Sequence, residues 1–283
     1  MIVVTDISHL EGALIELRRE KGPLAFVPTM GNLHDGHLSL VRQAASVASA
    51  VVVSIFVNPM QFGQNEDLAS YPRTLEADLK QLEQAAVDLV FTPTVEDMYP
   101  EGTDNHTKIR VPALGDVLCG ASRPGHFDGV STVVYKLFRL VKPEAAIFGE
   151  KDLQQLLIIK KMVADLDLGI DILSGPTQRA ADGLALSSRN HYLSDTERAL
   201  APTLHTTLVA CAEALRKTPG AIAEPLEEAR SQLVEAGFTL DYLELRDLSS
   251  LAKVDSLEQD CAVFVAARLG STRLIDNIQI RST

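Results

Sequence analysis

The sequence contains no tryptophan, three cysteines and few aromatic residues, which make up 5% of the chain. Cys119, Cys211 and Cys261 lie far apart, and none of them forms a C-x-x-C pair. A disulfide framework or a zinc knuckle is therefore not expected. We predict three inert thiols in a reducing compartment.

Long apolar runs and an excess of positive charge are also missing. No apolar run reaches the roughly 18 residues of a membrane-spanning helix, and no signal-peptide pattern stands at the N-terminus. The formal net charge is −12, and no basic stripe offsets it, which disfavours a nucleic-acid partner. With 283 residues, 46% of them hydrophobic, the chain is typical of a soluble globular protein of one or two domains. We expect a cytoplasmic protein that binds neither membranes nor nucleic acids.

Up to about residue 175, short apolar runs alternate with amphipathic stretches. This alternation predicts an α/β, Rossmann-like doubly wound parallel sheet. The predicted strands are 2–4, 24–27, 50–56, 88–91, 145–148 and 170–173. The predicted helices are 7–20, 38–48, 74–86, 129–141 and 153–166.

The pattern then changes to two long helical stretches, 195–217 and 225–236, followed by three strand-like runs. Helices followed by strands indicate a smaller C-terminal α+β domain. We therefore predict one domain over 1–175 and a second, lid-like domain over 176–283, with the boundary between Ser174 and Asp182.

The stretch Pro28–Leu38 joins a predicted buried strand to a predicted helix. Such turns lie at the carboxyl edge of a parallel sheet, where ligands bind. Gly31 and Gly36 allow close backbone approach, and the amides at the start of the helix suit a phosphate group. His34 and His37 are three residues apart, so both imidazoles can face one ligand.

Other polar turns follow the same edge. Gln61 follows the strand 50–56, and Lys151 and Gln155 follow the strand 145–148. A lysine in such a turn is a point charge for phosphate. The segment Leu186–Asn190 places two hydroxyls and a guanidinium where the predicted domains meet, and the glycine-rich loop 120–130 carries Arg123 and His126. Each of these motifs is weak alone.

Together these motifs resemble the pantothenate synthetase family, in order and at plausible separations. The resemblance covers the whole chain and is weaker after Asn190. Gln178 stands where the family usually has an apolar residue. The resemblance implies that this position touches adenine through its backbone, so a different side chain there leaves the implied contact unchanged.

The resemblance implies that ATP and pantoate form pantoyl-adenylate and pyrophosphate, and that β-alanine then releases AMP and pantothenate. It implies catalytic roles for His37, as the acid that assists pyrophosphate departure, and for His34, Lys151 and Arg189. Gln61 and Gln155 are implied to hold pantoate, and Gln61 also to lie beside β-alanine. The implied ATP-binding residues are Met30, Gly31, Asn32, Leu33, His34, Asp35, Gly36, His37, Gly149, Glu150, Lys151, Asp152, Gln178, Leu186, Ser187, Ser188 and Arg189.

The resemblance further implies Mg²⁺ with ATP, and a homodimer. No carboxylate cluster for a metal is evident in the sequence, so we expect Mg²⁺ to be coordinated mainly by phosphate oxygens. Charge stabilisation by His37 without proton transfer is equally consistent with the sequence. Two alternatives remain at this point: a nucleotidyltransferase that moves a nucleotide onto a phosphate ester, and a catalytically inactive nucleotide-binding protein.

Overall fold

A computed structural model describes residues 1–64, 66–218 and 220–282. The strands are β1 (Ile2–Val4), β2 (Leu24–Thr29), β3 (Ala50–Ile55), β4 (Leu89–Phe91), β5 (Ala145–Gly149), β6 (Asp171–Gly175), β7 (Thr239–Asp247), β8 (Cys261–Leu269) and β9 (Thr272–Ile280). The helices are α1 (Ile7–Lys21), α2 (Asp35–Val47), α3 (Leu75–Gln84), α4 (Val95–Met98), α5 (Cys119–Ser122), α6 (His126–Val141), α7 (Leu153–Asp165), α8 (Asp195–Leu200), α9 (Thr203–Lys217) and α10 (Ala223–Glu235).

The first six strands form one parallel sheet in the order β1-β4-β3-β2-β5-β6. From β2 the chain moves outward through β3 to one side and through β5 to the other. The sheet therefore changes direction between β2 and β5. At such a switch point the loops that leave the two strands diverge and open a crevice at the carboxyl edge.

Alternate residues of β2 pack into different cores because successive side chains of a strand point to opposite faces. Leu24 and Phe26 contact the core under α1, α6 and α7. Ala25 and Val27 contact the core under α2 and α3. Burial on both faces explains why this strand reads as a continuous apolar run.

The strands β7, β8 and β9 form a separate antiparallel sheet. Its inner face packs with α9 and α10 in a core of its own. Leu251, Ala262 and Phe264 instead join the core of the parallel sheet. These results confirm the predicted fold class, a parallel α/β sheet followed by a smaller α+β part.

Three predicted helix bounds were wrong. The stretch 195–217 forms two helices, because Pro202 lacks the N–H that a continuous helix needs. Helix α2 starts at Asp35 instead of Leu38, because His34 acts as its N-cap. Helix α6 begins at His126 instead of Gly129. Within the described residues, no helix combines the length and the apolar character that crossing a membrane requires.

Candidate active site

The turns after β2 and β5 meet at the switch point of the parallel sheet. The turn 30–34 lies between β2 and α2. We call residues 30–37, which are this turn and the first three residues of α2, the histidine turn. Between β5 and α7 lies the single 3-10 turn Glu150–Asp152, which carries Lys151. Because β2 and β5 are direct neighbours, the sequence-predicted histidines and Lys151 come to one crevice.

The two imidazoles of the histidine turn are stacked and hydrogen-bonded to the local backbone. Their ring centroids are 4.1 Å apart. Nδ1 of His34 accepts the amide N–H of Gly36 at 3.1 Å, and Nδ1 of His37 accepts the amide N–H of His34 at 3.3 Å. Each neutral ring therefore carries its proton on Nε2. One helix-start amide that we expected to be free for phosphate, that of Gly36, is already occupied by His34.

Both histidines are kept neutral by their surroundings. Burial, followed by the nearby charge of Lys151, lowers the pKa of His34 to about 4. Burial, His34 and Lys151 together lower the pKa of His37 to about 3. At neutral pH both rings are therefore uncharged N–H donors in the free protein.

A carboxylate from α3 fixes the backbone of the histidine turn. Asp78 is buried and accepts the amide N–H groups of Asn32 at 2.9 Å and Leu33 at 2.8 Å. Gly31 has φ +78°, and a Cβ there would press on Asp78 and Ile55. Asp78 was not predicted as a site residue. A charged residue among the apolar positions of an amphipathic helix is the signal that would have found it.

The turn after β3 holds Gln61 beside the same crevice. The Gln61 amide donates to Sδ of Met30 at 2.9 Å, and its Oε1 accepts from Asn58 at 3.2 Å. Asn58 is buried and accepts the hydroxyl of Tyr99 at 2.8 Å. Gly129 allows α6 to lie directly against the Met60 backbone, where a Cβ would clash. Gln61 is thus held by buried groups, and Asn58 is a residue whose role we had not predicted.

The turn that carries Lys151 is held from the C-terminal sheet. Asn277 of β9 donates to the carbonyl oxygens of Glu150 at 2.8 Å and Lys151 at 3.1 Å. The neighbouring Asp276 is buried and accepts two hydrogen bonds from Arg179, at 2.6 and 2.9 Å. Asp276 and Asn277 of β9 therefore anchor both the turn that carries Lys151 and the segment that carries Arg179.

The segment 186–190 lies against the histidine turn. The hydroxyl of Ser188 donates to the carbonyl oxygen of Asn32 at 3.0 Å. Ser187 accepts the amide N–H of Arg189 at 3.2 Å. The amide N–H of Leu186 donates to the carbonyl oxygen of Gln178 at 2.9 Å, which places the predicted adenine position in the same small hairpin.

The guanidinium of Arg189 is already paired. Asp67 accepts from its Nε and Nη2, each at 2.9 Å, and the ring of Tyr71 lies 5.7 Å from its Cζ. Neither Glu66 nor Asp67 caps the following helix: α3 begins at Leu75 with Thr74 as its N-cap, and both carboxylates pair with arginines.

A cavity of about 550 Å³ opens between the parallel sheet and the C-terminal sheet. It is large enough for a small-molecule ligand. Of the predicted site residues it is lined by Lys151, Asp152, Gln155, Ser187 and Arg189. The histidine turn and Gln61 do not line this cavity. The histidine turn is connected to it through Ser188, which bonds to Asn32 and lies beside the lining residues Ser187 and Arg189.

The chain matches the family model described as pantoate-beta-alanine ligase over residues 2–279. This chain belongs to the pantoate–β-alanine ligase family. Its activity is the ATP-dependent ligation of pantoate to β-alanine, the reaction of vitamin B5 biosynthesis.

Individual relatives agree with the family model. The pantothenate synthetase of Pseudomonas entomophila is 52% identical over 280 residues, which cover 99% of this chain and 98% of the relative. The crystal structure of pantothenate synthetase from Thermus thermophilus has a TM-score of 0.92 at 45% identity, covering 99% of this chain and 100% of that one. The ligase from Francisella tularensis, solved with beta-gamma ATP and β-alanine, has a TM-score of 0.80 at 36% identity, covering 98% of this chain and 97% of that one.

Proposed function

We propose that this ligase works in two steps on one site. A carboxylate oxygen of pantoate attacks the α-phosphorus of ATP, and pyrophosphate leaves with the electron pair of the broken P–O bond. The amine of β-alanine then attacks the acyl carbon of pantoyl-adenylate, loses a proton and expels AMP. The observation that carries this proposal is the meeting of the histidine turn, the Lys151 turn and the segment 186–190 at the switch point.

The groups that would meet the triphosphate differ in kind. Lys151 and Arg189 supply positive charge to the developing anion, whereas His34 and His37 supply neutral N–H donors. Ser187 and Ser188 bond to backbone in this structure, so we assign them to holding Arg189 and the histidine turn in place. The other predicted ATP-binding residues surround the nucleotide with their backbone. They are residues 30–33, 35, 36, 149, 150, 152, 178 and 186.

His37 serves best as a hydrogen-bond donor to the departing pyrophosphate. Its pKa of about 3 leaves it uncharged in the free protein. A bound triphosphate would raise that pKa, because a nearby negative charge favours the imidazolium. His37 would therefore first stabilise the triphosphate as a neutral hydrogen-bond donor. Once its pKa has risen and the ring is protonated, it would transfer a proton to the departing pyrophosphate.

Pantoate is assigned to Gln61 and Gln155, whose amides both donate and accept hydrogen bonds and so suit a hydroxy acid. Replacing either with alanine should raise the pantoate KM about 10- to 150-fold, the range for losing a hydrogen bond to a charged group, while the ATP KM changes little. An unchanged pantoate KM in both variants would disprove the assignment. β-Alanine is assigned to the vicinity of Gln61.

Several further predictions belong to the same proposal. Mg²⁺ is expected with ATP. Across the described ranges, with their gaps at 65, 219 and 283, no three His, Cys, Asp or Glu side chains group as metal ligands. The ion would therefore be carried mainly by phosphate oxygens. We also propose a cytoplasmic homodimer and domains over 1–175 and 176–283, with the segment 182–190 as a hinge that closes over ATP.

The two-step reaction is tested by isotope exchange. With ATP, Mg²⁺ and pantoate alone, the enzyme should exchange labelled pyrophosphate into ATP, because β-alanine reacts only after pyrophosphate has formed. AMP release should need both pantoate and β-alanine. Exchange that required a phosphate ester instead of pantoate would assign the chain to nucleotidyl transfer.

A further inference from the structure

A small hairpin of residues 178–186, which we call the adenine hairpin, follows β6 and carries the implied adenine position. The amide N–H of Leu186 donates to the carbonyl oxygen of Gln178 at 2.9 Å and closes the hairpin. The side chain of Gln178 turns back and donates to the carbonyl oxygen of Pro176 at 3.3 Å. In this arrangement the backbone of Gln178 is the part that faces a base, so recognition depends on where the hairpin is held.

Arg179 binds the adenine hairpin to the C-terminal sheet. Its Nη1 and Nη2 donate to the two carboxylate oxygens of Asp276 at 2.6 and 2.9 Å. Its Nη1 also donates to the carbonyl oxygen of Gly183 at 3.1 Å. One planar guanidinium therefore bonds both to the tip of its own hairpin and to β9. A forked pair of this kind fixes orientation as well as distance.

Asp276 is a buried and ionised anchor, with a side chain that is 1% exposed. Burial alone would raise the pKa of Asp276, but the neighbouring His205 and Arg179 lower it below its usual value. Nδ1 of His205 lies 3.6 Å from the carboxylate, and a Cβ at Gly183 would come within 3.1 Å of the His205 ring. The hairpin tip thus lies against α9 and β9, and moving it would separate Arg179 from a buried charge, which is costly.

The next residue of β9 holds the phosphate end of the same site. Successive side chains of a strand point to opposite faces, so Asp276 bonds to the adenine hairpin whereas Asn277 bonds to the turn that carries Lys151. The amide N–H of Asn277 also donates to Oδ1 of Asp276 at 2.8 Å. Two adjacent residues of one strand therefore set the position of the hairpin relative to the phosphate-binding turn.

We propose that Asp276, acting through Arg179, is the positioning residue that gives this ligase its selectivity for the adenine base. The inference rests on the proposed contact between the hairpin backbone and adenine. Adenine presents an acceptor at N1 and a donor at its 6-amino group, whereas hypoxanthine presents a donor at N1 and an acceptor at O6. A backbone held in one place can match only one of these patterns, because the other base leaves polar groups unpaired. A loosened hairpin can adjust to both.

The test compares the Kd of ATP with the Kd of inosine triphosphate, measured by calorimetry with Mg²⁺ and without pantoate. Wild-type enzyme should bind ATP more tightly. In Asp276→Asn that preference should fall about 2- to 12-fold, the range for one net hydrogen bond, through weaker binding of ATP. Arg179→Lys keeps the charge but loses the planar fork, so its preference should fall by a smaller factor.

A double variant separates positioning from two independent effects. Because Asp276 and Arg179 act as one unit in the proposal, Arg179→Lys/Asp276→Asn should lose less preference than the product of the two single losses. The matched control is Asp241→Asn, which breaks the pair of Asp241 with Arg273 between two strands of the same sheet. It should leave the preference for ATP unchanged, whatever it does to thermal stability.

Three results would overturn the proposal. They are a full preference for ATP in folded Asp276→Asn, an equal loss of preference in Asp241→Asn, and a double-variant loss equal to the product of the single losses. A wild type that binds both nucleotides equally would overturn it as well. Pantoate-dependent pyrophosphate exchange is measured beside the binding. Its absence in the wild type would instead contradict the two-step reaction, while the Kd ratios would still test Asp276.

Discussion

The two walls of the crevice are prepared for ATP in opposite ways. On one wall, the histidine turn is fixed by buried contacts from Asp78, and its imidazoles are neutral. On the other wall, Arg189 is paired with Asp67, a carboxylate of the same chain. The first wall can accept a ligand without losing a partner. The second wall must first give up a counterion.

This difference separates two costs of binding. A preorganised donor stabilises a developing charge without rearrangement, so the histidine turn should contribute most to the rate of the chemical step. When a guanidinium exchanges one anion for another, the binding free energy gains only the difference in energy between the new ion pair and the old one. Arg189 should therefore contribute more to closure and selectivity than to ground-state affinity.

The largest expected effect comes from removing a phosphate-facing group of the fixed wall, His37, or of the neighbouring turn, Lys151. His37→Ala and Lys151→Ala should each slow pyrophosphate exchange by about 10²- to 10³-fold, the cost of losing one preorganised charge-stabilising group. His37 lies in the first turn of α2 and Lys151 in a 3-10 turn, and neither belongs to a hydrophobic core, so the variants should fold. Thermal unfolding of each variant and exchange rates at saturating pantoate are the measurements.

Matched controls exist on the surface. His9→Ala changes an exposed histidine of α1, and Lys161→Ala changes an exposed lysine of α7. Neither should affect exchange. A folded His37→Ala protein with full exchange would contradict the role of the fixed wall.

The next effect comes from the support behind that wall. Asp78→Ala leaves two backbone N–H groups buried without an acceptor, which should lower the free energy of unfolding by about 1–3 kcal/mol. The ATP KM should rise because Gly31 and Asn32 lose their fixed geometry. Chemical denaturation and steady-state kinetics measure the two consequences. If stability falls while the ATP KM stays constant, Asp78 supports the fold and not the site.

The neutral histidines predict a pH dependence of stability. In the unfolded chain His37 takes up a proton near its ordinary pKa of 6.5, whereas in the native protein it does so only near 3. Its contribution is therefore complete above about 6.5 and is lost as the pH falls toward 3. His37→Gln should reduce the slope of the unfolding free energy against pH in this window by up to about 1.4 kcal/mol per pH unit. An unchanged slope would show that the ring is protonated in the native state.

The smallest effect tests the paired wall directly. Asp67→Asn removes the counterion of Arg189 and should lower the ATP KM by up to about fivefold, the scale of a partly exposed ion pair. Asp116→Asn, in the exposed pair with Arg110, is the control. A higher ATP KM in Asp67→Asn would mean that Asp67 orients Arg189 for the nucleotide, and the contrast between the two walls would disappear.

The sequence predicted the parts of the site that follow from local pattern. The strand 24–27 and the residues after it predicted the turn with His34 and His37, because burial and turn chemistry are written in neighbouring residues. The same holds for the strand before Lys151. The order of the strands was not predicted, and it is the order that makes β2 and β5 neighbours.

Contacts between residues that are far apart in the chain could not be predicted from the sequence. Asp78 contacts a turn 45 residues away, and Asp67 contacts Arg189 across 122 residues. Carboxylates in a polar loop read equally well as helix caps, and only the tertiary structure distinguishes the two interpretations. Pro202, by contrast, was a local signal for a helix break that we did not use.

The hydrogen bonds from Asn277 to the Lys151 turn have a consequence for how the enzyme matures. Asn277 is synthesised 126 residues after Lys151, and domains form from the N-terminus as the chain is made. The parallel sheet can assemble on the ribosome while the turn that carries Lys151 still lacks these two hydrogen bonds. A chain that ends before β9 would contain Lys151 but not the Asn277 side chain that holds its turn, so we expect ATP turnover only after β9 has been synthesised.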